Sequence, residues 1–166
     1  MPIETIPIQS IWSVLRRLPA LLLRRYFTPE KLAGLIYIDI QPRHDSVVVD
    51  LGKVASFTLY LQAINLSPFP VELDRGSFRF WYRGVTLNAS ILNKQVIGPG
   101  EIASLYLHEA IPDGHANQMA RASANNPVAL EGNIEFNCKV RSFAKRIGHL
   151  DGINPKVYSA DVRADA

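Results

Sequence analysis

Residues 55–82 read ASFTLYLQAINLSPFPVELDRGSFRFWY, and this stretch decides the fold. Phe57, Leu59, Leu61 and Ala63 alternate with Thr58, Tyr60 and Gln62. Successive side chains of a strand point to opposite faces, so a period of two marks a strand buried on one side. Asn65-Leu66-Ser67-Pro68-Phe69-Pro70 then breaks the pattern. Its two prolines fix φ and remove backbone donors, which ends sheet pairing, while an asparagine at a strand end bonds the turn backbone. Asn65, Pro68 and Phe69 are therefore read as structural, with Phe69 plugging the end of the core. Strand pattern resumes at residues 71–73, and Phe78, Phe80 and Tyr82 then face one way against Ser77, Arg79, Trp81 and Arg83.

The rest of the chain repeats this grammar. Upstream lie residues 35–40 (LIYIDI) and 46–51 (SVVVDL), joined by a turn. Downstream, Leu87, Ala89 and Ile91 form an inward face, Pro99-Gly100 turns the chain, and Ala103, Leu105 and Leu107 define another strand. A short helix is expected over residues 116–123, with Pro112-Asp113-Gly114 before it as a plain turn. Ile134, Phe136, Cys138 and Val140 point inward, opposite Asn133, Glu135, Asn137, Lys139 and Arg141, in a strand read as continuous over 133–141. Residues 156–162 supply a last strand with Tyr158, Ala160 and Val162 on one face. About eight short strands at regular spacing, without long amphipathic helices between them, predict an all-β antiparallel sandwich of the fibronectin-III or immunoglobulin type.

Composition agrees. With 166 residues, 48% hydrophobic and 20% charged, the chain reads as an ordinary globular protein that needs no disulfide framework, and it has one cysteine. A net charge of +3 is too mild and scattered for a nucleic-acid footprint.

Two units are expected: residues 1–34 as a helical segment and residues 35–166 as the sandwich. Ser10 caps a predicted amphipathic helix running to about Phe27. Ile11, Trp12, Leu15, Leu18, Leu22, Leu23 and Tyr26 share one side, Ser13, Arg16, Arg17 and Arg24 the other, with Arg25 at the border. Pro19 must kink or split it. Its longest apolar run, residues 18–23, is far short of the ~20 residues of a bilayer span, and arginines inside the apolar stretch make a poor secretory signal. Two readings follow: an interfacial helix, with Trp12, Leu15, Leu22 and Leu23 in the acyl boundary and Arg16, Arg17, Arg24 and Arg25 on anionic headgroups, or a helix that closes the domain or packs on a protein partner. The expected location is the cytoplasm, free or peripherally attached to a membrane. Thr28-Pro29-Glu30 starts a second helix of a turn or two.

Catalytic and cofactor chemistry has little support. His108, Glu109, Asp113 and His115 (HEAIPDGH) hold ligand-type side chains, but helical metal spacing conflicts with Pro112. Cys138 reads as an inert buried thiol. Lys139, Arg141, Lys145, Arg146 and His149 read as a solvated basic face or, with the N-terminal arginines, as a patch for anionic lipid or an acidic partner. No catalytic, cofactor or metal residues are assigned.

Residues 35–162 resemble the late embryogenesis abundant group 2 family, the water stress and hypersensitive response domain. That family's strand ending in Asn-Pro-Asn-Pro-Phe corresponds here to residues 65–69, where Asn65, Pro68 and Phe69 match and Leu66 and Ser67 depart. FRFWYRG, and Ile97-Gly98-Pro99-Gly100 in place of Ile-Pro-Ala-Gly, follow in the family's order. The resemblance implies a fibronectin-III-like sandwich and a non-enzymatic, stress-protective or binding role, often tethered to membranes. The alternative is a structural or adaptor subunit of a larger assembly.

Overall fold

The computed structural model describes residues 19–42, 45–122, 128–148, 150 and 153–160. Among these, ten strands form two sheets packed face to face, so the protein is an all-β sandwich. The first sheet centres on β3 (Ser56–Asn65). Strands β1 (Ile36–Ile40) and β2 (Val47–Asp50) lie end to end along one of its edges, and β7 (Ile102–Ala110) covers the other. Tyr60 bridges the gap between β1 and β2: its carbonyl accepts from Gln41 N at 3.0 Å and its N–H donates to Ser46 O at 2.9 Å.

The second sheet centres on β4 (Val71–Tyr82) and β8 (Ala129–Cys138). β5 (Val85–Ile91) and β6 (Gln95–Ile97) share the far edge of β4, and β9 (Ser142–Ile147) pairs with β8. Two stacked rings 4.5 Å apart, Phe57 and Phe80, join the sheets through one continuous apolar core.

Three expectations change. Residues 71–82 are one strand, not two, because a bulge between Leu73 and Arg75 shifts the register against β8. One extra residue reverses the alternation, so Val71 and Leu73 face inward before it and Gly76, Phe78 and Phe80 after it. The strand expected over 133–141 stops at Cys138; the chain turns there, and β9 returns beside it. The last strand, β10 (Lys156–Tyr158), pairs parallel to β2, so the sandwich is not wholly antiparallel. Val157 is partly buried and Tyr158 exposed; Ala160, expected on one face with Tyr158, lies beyond the end of the strand and packs against the core.

Three helices are described. α1 (Ala20–Tyr26) begins directly after Pro19, and the part of the expected helix before that proline lies outside the described residues. α2 (Pro29–Gly34) is capped by Thr28, whose Oγ1 accepts from Lys31 N at 3.3 Å. α3 (Asp113–Arg121) starts at Asp113, earlier than expected, since Pro112 occupies its N-cap and does not obstruct it. Arg83 and Gly84 turn β4 into β5 with φ of 47° and 74°, the left-handed pair of a two-residue hairpin. Arg83 donates Nη1 to Met119 O at 2.9 Å, tying the end of α3 to that hairpin.

Candidate functional site

The proline corner closes one end of the sandwich. Asn65 is buried at the end of β3 and donates Nδ2 to Phe69 O at 2.8 Å and to Ile97 O at 2.9 Å. Its Oδ1 accepts from Ser67 N at 2.9 Å. Ser67, also buried, donates Oγ to Phe69 O at 2.9 Å. These bonds use both amide hydrogens of Asn65 and satisfy the backbone that the prolines remove from the ladder. The corner is an internal brace, with Pro68 and Phe69 buried beside it.

Against Phe69 lies Phe27, its ring edge-to-face at a centroid distance of 5.0 Å. Phe27 follows α1, and with Leu23 and Leu32 it belongs to the core. Of the residues expected to contact a membrane or partner, Trp12, Leu15, Arg16 and Arg17 lie outside the described residues. The four that are described divide. Leu23 is 2% exposed and packed inside, whereas Leu22 is 60% exposed. Placing the two on one contact face is therefore corrected: adjacent helical residues diverge by about 100°, and the sandwich takes Leu23. Arg24 and Arg25 are exposed.

Tyr26, 63% exposed, lies one helical turn from Leu22. Cations lie on α1 and on the segments packed beside it. Arg24 donates Nε to Val140 O at 2.8 Å, and Arg141 donates Nη2 to Arg24 O, so the β8–β9 turn and α1 hold each other. Lys31 sits 4.4 Å from the Tyr26 ring centre, and Lys139 5.0 Å from that of Phe69. Glu30 contributes an acid at the rim. Its carboxyl is held below its ordinary range, first by its own backbone hydrogen bond, then by Thr28, with a smaller pull from Arg141.

The five-residue basic run does not form one face. Arg141 bonds to Arg24 of α1, Lys139 lies over the Phe69 ring, Arg146 lies on the outer face of the second sheet, Lys145 is half-buried, and His149 lies outside the described residues. Tyr26 shares the expected apolar side with Leu22 but is not among the expected contact residues, and Lys31, against its ring, carries no sequence signal that joins it to them.

The ligand-type residues of HEAIPDGH are spread out. His108 Nδ1 lies 3.1 Å from Thr58 Oγ1, and Glu109 accepts from Ser90 N at 3.2 Å. Asp113 and His115 are exposed on the first turn of α3. Among the described residues, no group of three or more His, Cys, Asp or Glu side chains converges on a metal position. Cys138 is half-buried, with Sγ 3.3 Å from Arg141 O, and is not the fully enclosed thiol expected. No described helix is long and apolar enough to cross a membrane.

No protein-family model and no curated protein matches the chain. Among solved structures it is similar to the structural-genomics target SoR45, at 11% identity and a TM-score of 0.47, over 72% of this chain and 86% of that one. It is also similar to a candidate ApaA protein from Bordetella pertussis, at 11% identity and a TM-score of 0.42, over 69% and 86% of the two chains. A candidate late embryogenesis abundant protein solved in solution aligns at 12% identity and a TM-score of 0.43, over 86% of each chain.

Proposed function

We propose that this protein is a non-enzymatic β-sandwich that docks on an anionic membrane surface through α1 and the cations beside it. The corner of Asn65, Pro68 and Phe69, with its likeness to the late embryogenesis abundant group 2 motif, supports a stress-protective role for that docking. One observation carries the membrane reading: Leu22 and Tyr26 project together from a helix whose other side is anchored by Leu23. Lys31 lies against Tyr26, Arg24 and Arg25 share the helix, and Arg141 is bonded to the Arg24 carbonyl. Exposed apolar side chains with cations on the same short helices suit the boundary between acyl chains and acidic headgroups, where each cation contributes about 1 kcal/mol.

Vesicle co-sedimentation tests this with full-length protein. Phosphatidylserine-containing vesicles are expected to retain the protein and neutral phosphatidylcholine vesicles to release it. Arg25→Gln is expected to weaken retention about fivefold, and Leu22→Ser to weaken it further. These substitutions are preferable to removing residues 1–27, which would also remove Leu23 and Phe27 from the core. Equal retention by both vesicle types, or none by either, rejects the proposal. Obligate self-association in light scattering, lost in Leu22→Ser, would favour a subunit of an assembly instead.

A further inference from the structure

At a different place, the outer face of the second sheet is hollowed into a groove of about 560 Å³, continuous with a smaller one of about 280 Å³. The register explains its lining. Arg79 on β4 stands between Asn88 on β5 and Glu131 on β8, and the next row places Ser77 between Ser90 and Asn133, with Arg146 on β9 beyond. All are on the outward parity of their strands. Between the rows, Phe78, Ala89 and Ile147 turn their side chains inward and Gly132 has none, so sheet backbone forms the floor.

The side chains of this groove are unspent. Asn88, Glu131, Asn133 and Arg146 make no side-chain hydrogen bond or ion pair to another described residue, and Arg79 only lies over Trp81, 5.7 Å from its centre. Charged neighbours on the same sheet do pair. Arg75 grips Glu135 at 2.9 and 3.0 Å, and Lys94 meets Asp74 at 2.6 Å. Exposed sheet faces settle their charges across strands when they can; this row instead leaves guanidinium, amide, hydroxyl and carboxylate groups facing one hollow.

We infer that this groove is a binding site for a short oligosaccharide bearing a carboxylate. Three features select that class. The floor is laddered backbone whose N–H and C=O groups are already bonded, so a peptide strand, which binds sheets by their edges, finds no main-chain partners here. The walls mix donors and acceptors at close spacing, which matches vicinal hydroxyls. Two arginines oppose one glutamate, so an acidic ring is complementary to the site, and Arg recognises a carboxylate through paired donors.

The test is an NMR titration of the full-length protein with trigalacturonate, maltotriose and tetraglutamate. Trigalacturonate is expected to shift the amides of Ser77, Arg79, Asn133 and Arg146 saturably. Arg79→Gln and Arg146→Gln are each expected to weaken it about tenfold or more, the effect of losing a charged hydrogen bond. Arg121→Gln, on α3, is expected to leave it unchanged, and maltotriose to bind more weakly. The inference is overturned if trigalacturonate moves none of these amides at about 10 mM, if tetraglutamate moves them as strongly, or if Arg121→Gln weakens binding as much as the groove variants.

Discussion

The Phe27 ring meets the Phe69 ring edge-to-face at 5.0 Å and 81°. That contact, with Leu23 and Leu32, makes α1 and α2 part of the sandwich core. Phe69 is held from behind by the Asn65 and Ser67 bonds to its own carbonyl, so Phe27 closes on a rigid surface. Phe27→Ala is expected to cost about 3–5 kcal/mol in urea unfolding. A double-mutant cycle of Phe27→Leu and Phe69→Leu is expected to return a coupling of about 0.5–1.5 kcal/mol. Strict additivity would show that the ring geometry contributes nothing beyond burial.

Asn65 cannot be replaced by its acid. Asn65→Asp turns two donors, aimed at Phe69 O and Ile97 O, into an oxygen facing two carbonyls in a buried place. Burial and those carbonyls disfavour the ionised form, so the folded-state pKa rises above the unfolded value of about 3.9. Proton binding then favours the folded state, and the variant loses stability relative to the parent as pH climbs above about 4. Urea midpoints at pH 4 and pH 7 should show the gap widening. A gap independent of pH would mean the corner rearranges to satisfy the carboxylate.

Gly132 is a packing requirement. A Cβ there would meet Phe78 Cδ1 at 2.5 Å and Cε1 at 2.8 Å, because the ring lies across the glycine on the neighbouring strand. Gly132→Ala is expected to cost about 1–3 kcal/mol by overpacking. In the background of Phe78→Leu the penalty should shrink. An equal penalty in both backgrounds would place the cost in the backbone.

Arg83 holds a left-handed φ of 47° while its guanidinium caps the end of α3 through Met119 O. Arg83→Gly relieves the conformation and removes the bond, whereas Arg83→Ala removes the bond and keeps the strain. Arg83→Ala should therefore be the less stable of the two, by about 1 kcal/mol. In both variants, hydrogen exchange in α3 should accelerate before that of the sheets. Unchanged exchange would mean that Ala116 and Met119, buried beneath the helix, suffice to hold it.

Asp74 and Lys94 titrate as a surface pair. A hydrogen bond from Lys94 holds the Asp74 carboxyl below 3.8, and the same bond to Asp74 holds Lys94 above 10.5. The Asp74 contribution is present above its unfolded value and lost as pH falls through the folded one. The Lys94 contribution is present below its unfolded value and lost as pH rises through the folded one. Both therefore operate across neutral pH. Lys94→Met should raise the Asp74 titration midpoint in carboxyl-detected NMR, and an unmoved midpoint would show that the bond is not populated in solution.

What could be read beforehand follows the range of the forces involved. The alternation in residues 57–63 is local chemistry, since pleat geometry assigns one side to the core wherever the strand sits. The Asn-Pro-Phe corner was legible for the same reason: proline geometry and a short polar side chain act within a few residues. The single strand of residues 71–82 was not, because its bulge reverses the pattern and only pairing with β8 shows that the strand continues.

The candidate site divides the same way. Amphipathicity placed Leu22 and Leu23 together, and that is as far as a helical wheel can go. The sandwich chose between them: Leu23 packs in the core with Phe27, and Leu22, turned about 100° away, stays exposed. Arg141 lies over a hundred residues from Arg24; charge pattern suggests that the two basic segments act together, but only the fold brings Arg141 onto the Arg24 carbonyl. Residue order thus determined which segments extend and where they break, through the conformational preferences of each side chain. Long-range pairing of strands β4, β8 and β9 decided which charges share a surface and which apolar groups stay outside.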